Sequence, residues 1–338
     1  DVVLLPFNDI RLEFSNDIDK ALETFRNEGG ADAKLRNDII YCYLKYASSP
    51  SEFFLLGFDK AGIKRSSMLT NAHKDKVLIR KSGLEILAPL RDKYTFYKTL
   101  SSYFKRDVIC LRDRKEEDML RAFISKNSNF IVKPLKGKCA EGVDIIEGVL
   151  PNADLSLMLS KIIDKYPDGC ICESLIRQSS EMAKWNSSSV NTVRMYTFLT
   201  SSGIKHMTPV FRTGRKGSIT DNAATGGIFA NIAYESGILV TDGHDEAGNT
   251  YEFHPDSGYR FLGYHMPAWN ELLDIVCEAH HKLGIHRYIG WDWAYTENGW
   301  VLIEGDWARF INEYADLKGR KKEFDRLMSY SPVDRFYE

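Results

Sequence analysis

No stretch of this sequence approaches the roughly 18 uninterrupted apolar residues that a membrane-crossing helix needs, and no basic segment followed by an apolar run opens the chain at Asp1. A soluble protein without a transmembrane segment is therefore expected, and the cytoplasm is its expected location. Charge of one sign is equally scarce, with 45 Lys and Arg against 47 Asp and Glu. Such a balance lacks the basic surface on which non-specific nucleic-acid affinity rests, so nucleic acid is not an expected partner. Cysteine is thin and scattered. Cys170 and Cys172 form one Cys-x-Cys, but no second pair completes a zinc site, and the six thiols read as reduced core residues. His280 and His281 are adjacent on a predicted helix and point different ways, which argues against a metal site built on them. Neither an evident Ser-His or Cys-His pair nor the Gly-Lys-Ser/Thr signature of a Walker loop is present.

Core material is plentiful: 43% of the 338 residues are hydrophobic and 12% aromatic. At roughly 100 to 200 residues per domain this supports two or three packed units. Apolar spacing predicts two helices between Ile18 and Lys45, separated by Gly29-Gly30, and a third over Tyr94 to Phe104. From Lys60 to Lys81, seven basic residues accompany one acid, Asp75. A solvated helix face is the simpler explanation, and a patch for an anionic partner the sharper one. Beyond Phe130 short β-rich runs alternate with Gly, Asn and Asp, interrupted by helical patterns at Leu155 to Tyr166 and Pro267 to Leu283. The charged tail after Gly319 reads as helical. A helical front followed by mixed α+β structure is the expected order, divided at 1–90, 91–170 and 171–338.

Phe130-Ile131-Val132-Lys133-Pro134 is an apolar strand ending in a lysine, followed by a glycine turn from Gly137 to Gly142. A fixed ammonium beside backbone N–H groups suits a polyphosphate, although a strand end and a turn explain the same residues. Lys93, at the start of the Tyr94 helix, can present a second cation. Cys170 to Glu173 reads as a buried strand running into a linker through Ile176, whose free backbone groups can read an adenine edge. An ordinary crossover is the alternative there.

The sharpest pattern lies between Gly290 and Asp306. Two β-rich runs flank Glu297-Asn298-Gly299, as in a type I turn whose last residue is left-handed. If Thr296 pairs with Trp300, Asp292 falls opposite Glu304, and Asp306 shares their face. Like charges so placed call for a cation, and hard oxygen ligands suit Mg²⁺. A two-residue Asn298-Gly299 turn would instead send Asp292 to the other face. Upstream, Arg194, Arg212 and the Asp221-Asn222 to Gly226-Gly227 segment put strand arginines beside a glycine turn, where they can clamp phosphate or carboxylate oxygens. A structural salt bridge is the alternative for either arginine alone.

In this order the residues resemble the ATP-grasp superfamily over about Asp92 to Phe310. The resemblance implies an α/β (α+β) ATP-grasp fold, ATP held by Lys93, Lys133, Gly137, Gly142, Glu173 and Ile176, and two Mg²⁺ ions held by Asp292, Glu304 and Asp306. Asp306 stands where the superfamily usually has Asn. Arg212, Asn222, Gly226 and Gly227 resemble a segment of ribosomal-protein glutamate ligases. Val190 to Arg194, Asp221-Asn222, His254-Pro255-Asp256 and Gly290-Trp291-Asp292 together look most like the sugar-transfer-associated ATP-grasp family, a group tied to bacterial surface-polysaccharide genes. That implies small-molecule substrates, a carboxylate and an amine or thiol nucleophile, joined through an acyl phosphate, with Arg194, Arg212 and Asn222 in catalytic roles. A kinase acting on a hydroxyl, or a non-catalytic nucleotide-binding partner of a glycosyltransferase, would use the same cradle.

Overall fold

Alternating apolar residues punctuated by glycine and asparagine build two antiparallel sheets, and helices bury one or both faces of each. The structure is a computed structural model, which describes residues 7–26, 33–82, 92–135, 142–150, 153–284, 286–306, 311, 313 and 315–329. The chain begins with α1 (Phe7–Arg26), α2 (Ala33–Tyr46), α3 (Pro50–Leu55) and α4 (Asn71–Ser82). The first two match the expected pair, while Gly29-Gly30 lie outside the described residues. In α3, Pro50 takes the first turn and Ser49 and Glu52 form a reciprocal capping box.

Helix α5 (Lys93–Phe104) leads into the smaller unit, which comprises β1 (Val108–Leu111), α6 (Glu117–Ile124), β2 (Phe130–Pro134), β3 (Asp144–Ile146), α7 (Leu155–Lys165) and β4 (Cys170–Ser174). Its strand order is β1-β4-β2-β3. Because β4 lies between β1 and β2, the unit runs to Ser174 and a boundary at 170 would cut off its central strand. Phe130, Val132, Cys170 and Cys172 pack beneath α6 and α7. Period-two alternation then turns Lys133 and Glu173 to the other face.

The larger unit follows: α8 (Ser180–Ala183), β5 (Thr192–Thr200), β6 (Gly203–Thr213), β7 (Ile228–Asn231), β8 (Gly243–His244), β9 (Thr250–Tyr251), α9 (Trp269–Leu283), β10 (Tyr288–Thr296), β11 (Gly299–Asp306) and α10 (Lys321–Ser329). Seven strands form one sheet in the order β11-β10-β5-β6-β7-β8-β9. One face carries Val193, Met195, Phe211, Trp291, Trp293 and Leu302 and is sealed by α5 and α9. The opposite face carries Tyr196, Val210 and Phe229, which pack with α1 to α4 and α10. The N-terminal helices therefore cover the sheet face on which Arg194, Arg212 and Asp292 stand.

That packing corrects the solvated-face reading of the basic stretch in two places. Lys74 is fully buried and pairs with Asp75 at 3.1 Å. Arg65 grips Asp38 with two nitrogens and the Phe58 carbonyl, tying the loop after α3 to α2. On α9, His280 is buried and His281 exposed, as their adjacency requires.

Candidate active site

Each sheet carries a cluster of charged side chains. On the small sheet, Glu173 is buried and accepts from Arg106 Nε at 3.0 Å and Nη2 at 2.7 Å, and from Lys133 Nζ at 3.2 Å. Burial opposes a charged carboxylate, but Lys133 and Arg106 outweigh it and hold its pKa down to about 2. Asp92 caps α5 by accepting from Thr95 N, and the next residue, Lys93, donates from Nζ to the Pro134 carbonyl at 3.1 Å. Two ammonium groups thus meet at the end of β2. Burial pushes the Lys93 pKa down and Lys133 adds to this, while Glu304, Glu173 and Asp306 act against it. The acids of the large sheet are therefore close enough to influence a lysine of the small one.

Arg106, which sequence reasoning passed over, joins the two units. Besides gripping Glu173, it donates to the carbonyls of Leu302 at 2.5 Å and Ile303 at 3.3 Å on β11. An arginine just after a helix carries no sequence signal for such a role. Glu173 itself differs from the adenine-linker expectation. Its backbone pairs with Val108 on one side and Ile131 on the other, so its amide and carbonyl belong to the ladder. The non-strand linker is Leu175 to Arg177, where Ile176 is half-buried. Gly142 has φ +70° and its carbonyl accepts from Tyr166 Oη at 2.7 Å. Gly137 lies outside the described residues.

In the hairpin, Asp292 pairs with Glu304 and Gly290 with Asp306, as expected. The route differs. Thr296 pairs with Gly299, not Trp300, and the resulting register would put Glu304 on the other face. A β-bulge that leaves Ile303 without a partner restores the alignment. Gly299 is left-handed, φ +85°, as the turn predicts.

The three acids do not form a cage. Asp292 accepts from Arg194 Nε at 3.0 Å and Nη2 at 3.1 Å, and Arg212 Nη1 lies 3.5 Å from it. Among the described residues no group of three or more His, Cys, Asp or Glu side chains comes together to hold a metal. Arg194 and Arg212 are both buried and require counter-charge, and Asp292, directly opposite Arg194 in the ladder, supplies it. Glu304 and Asp306 are half-buried, two residues apart on one strand. They offer the hard oxygen ligands that Mg²⁺ accepts from protein alongside phosphate and water.

Glu313, also missed, completes the cluster. It is 6% exposed, 3.2 Å from Arg194 and 3.4 Å from Arg212, and the segment bearing it is held by Asn231, whose amide donates to the Glu313 carbonyl. Its sequence neighbours give no pattern, because a residue outside helix and strand has no period to mark it. Burial would lower the Arg194 pKa, but Asp292 and Glu313 outweigh it and drive it up, so the guanidinium stays charged. Asp221 accepts from the Thr192 hydroxyl and sits 3.5 Å from Arg212. Burial pushes its pKa up against that arginine. The Asn222 carbonyl accepts from the amides of Thr225 and Gly227, both at 3.0 Å, forming the turn. A Cβ on Gly227 would lie 2.3 Å from the Asp221 carbonyl oxygen, so glycine alone fits. Arg212 Nε and Glu313 Oε2 are buried without a hydrogen-bond partner among the described residues.

A family model described as sugar-transfer associated ATP-grasp matches residues 84–312. No curated protein matches the sequence. Similar solved structures include the ATP-grasp ligase PsnB with a minimal precursor, at 12% identity, TM-score 0.45, 74% of this chain and 63% of that one. D-alanine-D-alanine ligase from Helicobacter pylori has 14% identity and TM-score 0.43, over 72% of this chain and 61% of that one. L-amino acid ligase from Bacillus licheniformis has 10% identity and TM-score 0.43, over 75% and 51%. The chain thus spans less than two thirds of the length of each of these three neighbours.

Proposed function

Because the chain belongs to the sugar-transfer-associated ATP-grasp family, we propose that it is an ATP- and Mg²⁺-dependent ligase forming an acyl phosphate and ADP. A small-molecule carboxylate is activated and transferred to an amine or thiol, with a sugar acid and an amino acid of surface-polysaccharide or related biosynthesis as the fitting pair. One observation supports this above the rest: Glu173, which pairs with Lys133, is gripped by Arg106, and Arg106 also holds the Leu302 and Ile303 carbonyls beside Glu304 on β11, so the two lysines and the acid pair belong to one neighbourhood.

Lys93 and Lys133 hold the nucleotide phosphates, with Gly137 and Gly142 bounding the loop above them and Glu173 fixing the direction of Lys133. Ile176 packs against the base. Glu304 and Asp306 hold Mg²⁺, which when bound neutralises phosphate charge and polarises the transferred group. Asp292 serves as counter-ion to Arg194, an arrangement that fits a single acid pair as metal ligands. Arg212, supported by Arg194 and the Asn222 turn, faces the carboxylate and the phosphoryl group passing to it. Phosphoryl transfer needs positioning and charge neutralisation and no nucleophilic side chain, so the missing Ser-His and Cys-His pairs are no obstacle.

Hydroxylamine tests the proposal. Given ATP, Mg²⁺ and a carboxylate substrate without its acceptor, the enzyme should release ADP and a hydroxamate in equal amounts. A stable phosphate ester that hydroxylamine ignores would identify a kinase, and AMP with pyrophosphate would contradict both.

A further inference from the structure

Away from the proposed reaction site, Ser202, Lys205, His206, Tyr234 and Arg326 surround a cleft of about 320 Å³ between the β5–β6 turn and α10. Two of these residues are cations and none is a carboxylate. His206 stacks on Tyr234, with ring centroids 4.5 Å apart and planes 29° from parallel. Its Nε2 lies 3.5 Å from Cys277 Sγ on α9, and its Nδ1 is buried without a hydrogen-bond partner among the described residues. Lys205 pairs with Phe198, four residues along β5 from Arg194. At about 3.3 Å per residue this is ~13 Å from the arginine cluster, beyond the reach of one side chain.

We propose that this cleft is a second ligand site, taking a phosphate group carried on a compact polar molecule. Arg326 presents a planar fork and Lys205 a point charge, the two donor types that share phosphate oxygens well. Ser202 adds a hydroxyl, and the stacked Tyr234 and His206 rings give an apolar floor. The volume lies at the small end of ligand cavities, which suits a monosaccharide-sized body or phosphate itself. Burial pushes the His206 pKa down to about 4, Lys205 adding to the effect, and no acid offsets it. Glu235 and Asp274 act on Tyr234, Asp274 also acts on Cys277, and Asp325 is engaged by His73. Among the described residues, the lining of the cleft itself therefore carries cations without a carboxylate.

With ADP and Mg²⁺ saturating the proposed reaction site, inorganic phosphate and a hexose 6-phosphate are each titrated by calorimetry. The imidazole resonances of His206 are followed in parallel. Saturable binding is expected, together with a rise of the His206 pKa. Affinity should fall at least about tenfold in Lys205→Ala/Arg326→Ala and stay unchanged in Lys126→Ala. Tighter binding of the hexose phosphate would identify a phosphate ester as ligand, and equal binding would identify phosphate alone. Undiminished affinity in the double variant, or a His206 resonance that ignores both probes, would overturn the site. These readouts do not depend on the ligase proposal.

Discussion

Asp292 and Glu304 face each other across β10 and β11 because Ile303, between them and the turn, is left out of the pairing. Side chains alternate with period two, so one unpaired residue is enough to move Glu304 and Asp306 from one face to the other. Arg106 holds the carbonyls of Leu302 and Ile303 and also grips Glu173, so the irregularity is fastened to the small sheet.

Deleting Ile303 should leave Glu304 opposite Asp292 in a regular ladder, with Mg²⁺-dependent turnover reduced less than about tenfold. Deleting Gly305 instead makes Glu304 and Asp306 adjacent, on opposite faces, and drives a side chain toward Phe96, whose ring atom lies 2.8 Å from a Cβ at that position. That variant should lose Mg²⁺-dependent turnover. Similar activity in the two deletions would refute the register argument.

Asp292 and Glu304 should also differ in what they support. Asp292→Asn removes charge from between two buried arginines, and a broken buried pair costs about 3 to 5 kcal/mol. Glu304 is half-buried, and Glu304→Gln should leave the melting temperature nearly unchanged while raising the Mg²⁺ concentration needed for half-maximal turnover about tenfold. Thermal melts without nucleotide and Mg²⁺ titrations separate the two. A strong melt shift in Glu304→Gln with none in Asp292→Asn would reverse the assignment.

Much of this was legible in sequence. Strands such as Thr192–Thr200 and Tyr288–Thr296 read as β-rich runs of Val, Ile, Met, Phe, Tyr and Trp broken by Arg194 and Asp292, and the pairing of Asp292 with Glu304 was expected, though from a register that the turn does not adopt. The route to that pairing was not legible, because a bulge adds a residue without changing composition. Nor was the partner of Asp292. Sequence shows three acids on a face, while only the fold shows that Arg194 is opposite Asp292 and that Glu313 returns to join them. Lys74 illustrates the same limit, since α4 is mostly polar and its covering by other elements leaves no mark on its own periodicity.

The buried histidines predict acid sensitivity. Burial lowers the pKa of His280 to about 3 and of His206 to about 4, against an ordinary 6.5. A histidine depressed in the folded state adds stability that is complete above 6.5 and is lost as pH falls through 6.5 toward the folded value. Each such group contributes a slope of about 1.4 kcal/mol per pH unit in that window. Urea unfolding from pH 6.5 down to about 5 should show declining stability, and His280→Gln should have a shallower slope by about that amount. An unchanged slope would mean that His280 is already protonated in the folded protein.

Arg212 gives the final separation of binding from chemistry. Its three nitrogens lie 3.4 to 3.5 Å from Glu313, Asp221 and Asp292, distances at which it neutralises the cluster, and its buried Nε makes no hydrogen bond among the described residues. Arg212→Ala would leave those acids short of a cation and confuse folding with catalysis, so the informative change is Arg212→Lys. Lysine keeps the charge but not the planar fork. If the fork acts on the transferring phosphoryl and the acyl phosphate, ATP affinity should stay within about threefold while kcat falls about 100-fold, the scale of losing one transition-state donor. Hydroxamate per ADP should also fall below one, because an acyl phosphate held without its clamp is lost to water. Loss of ATP affinity with kcat intact would place Arg212 in nucleotide binding and remove it from the chemical step.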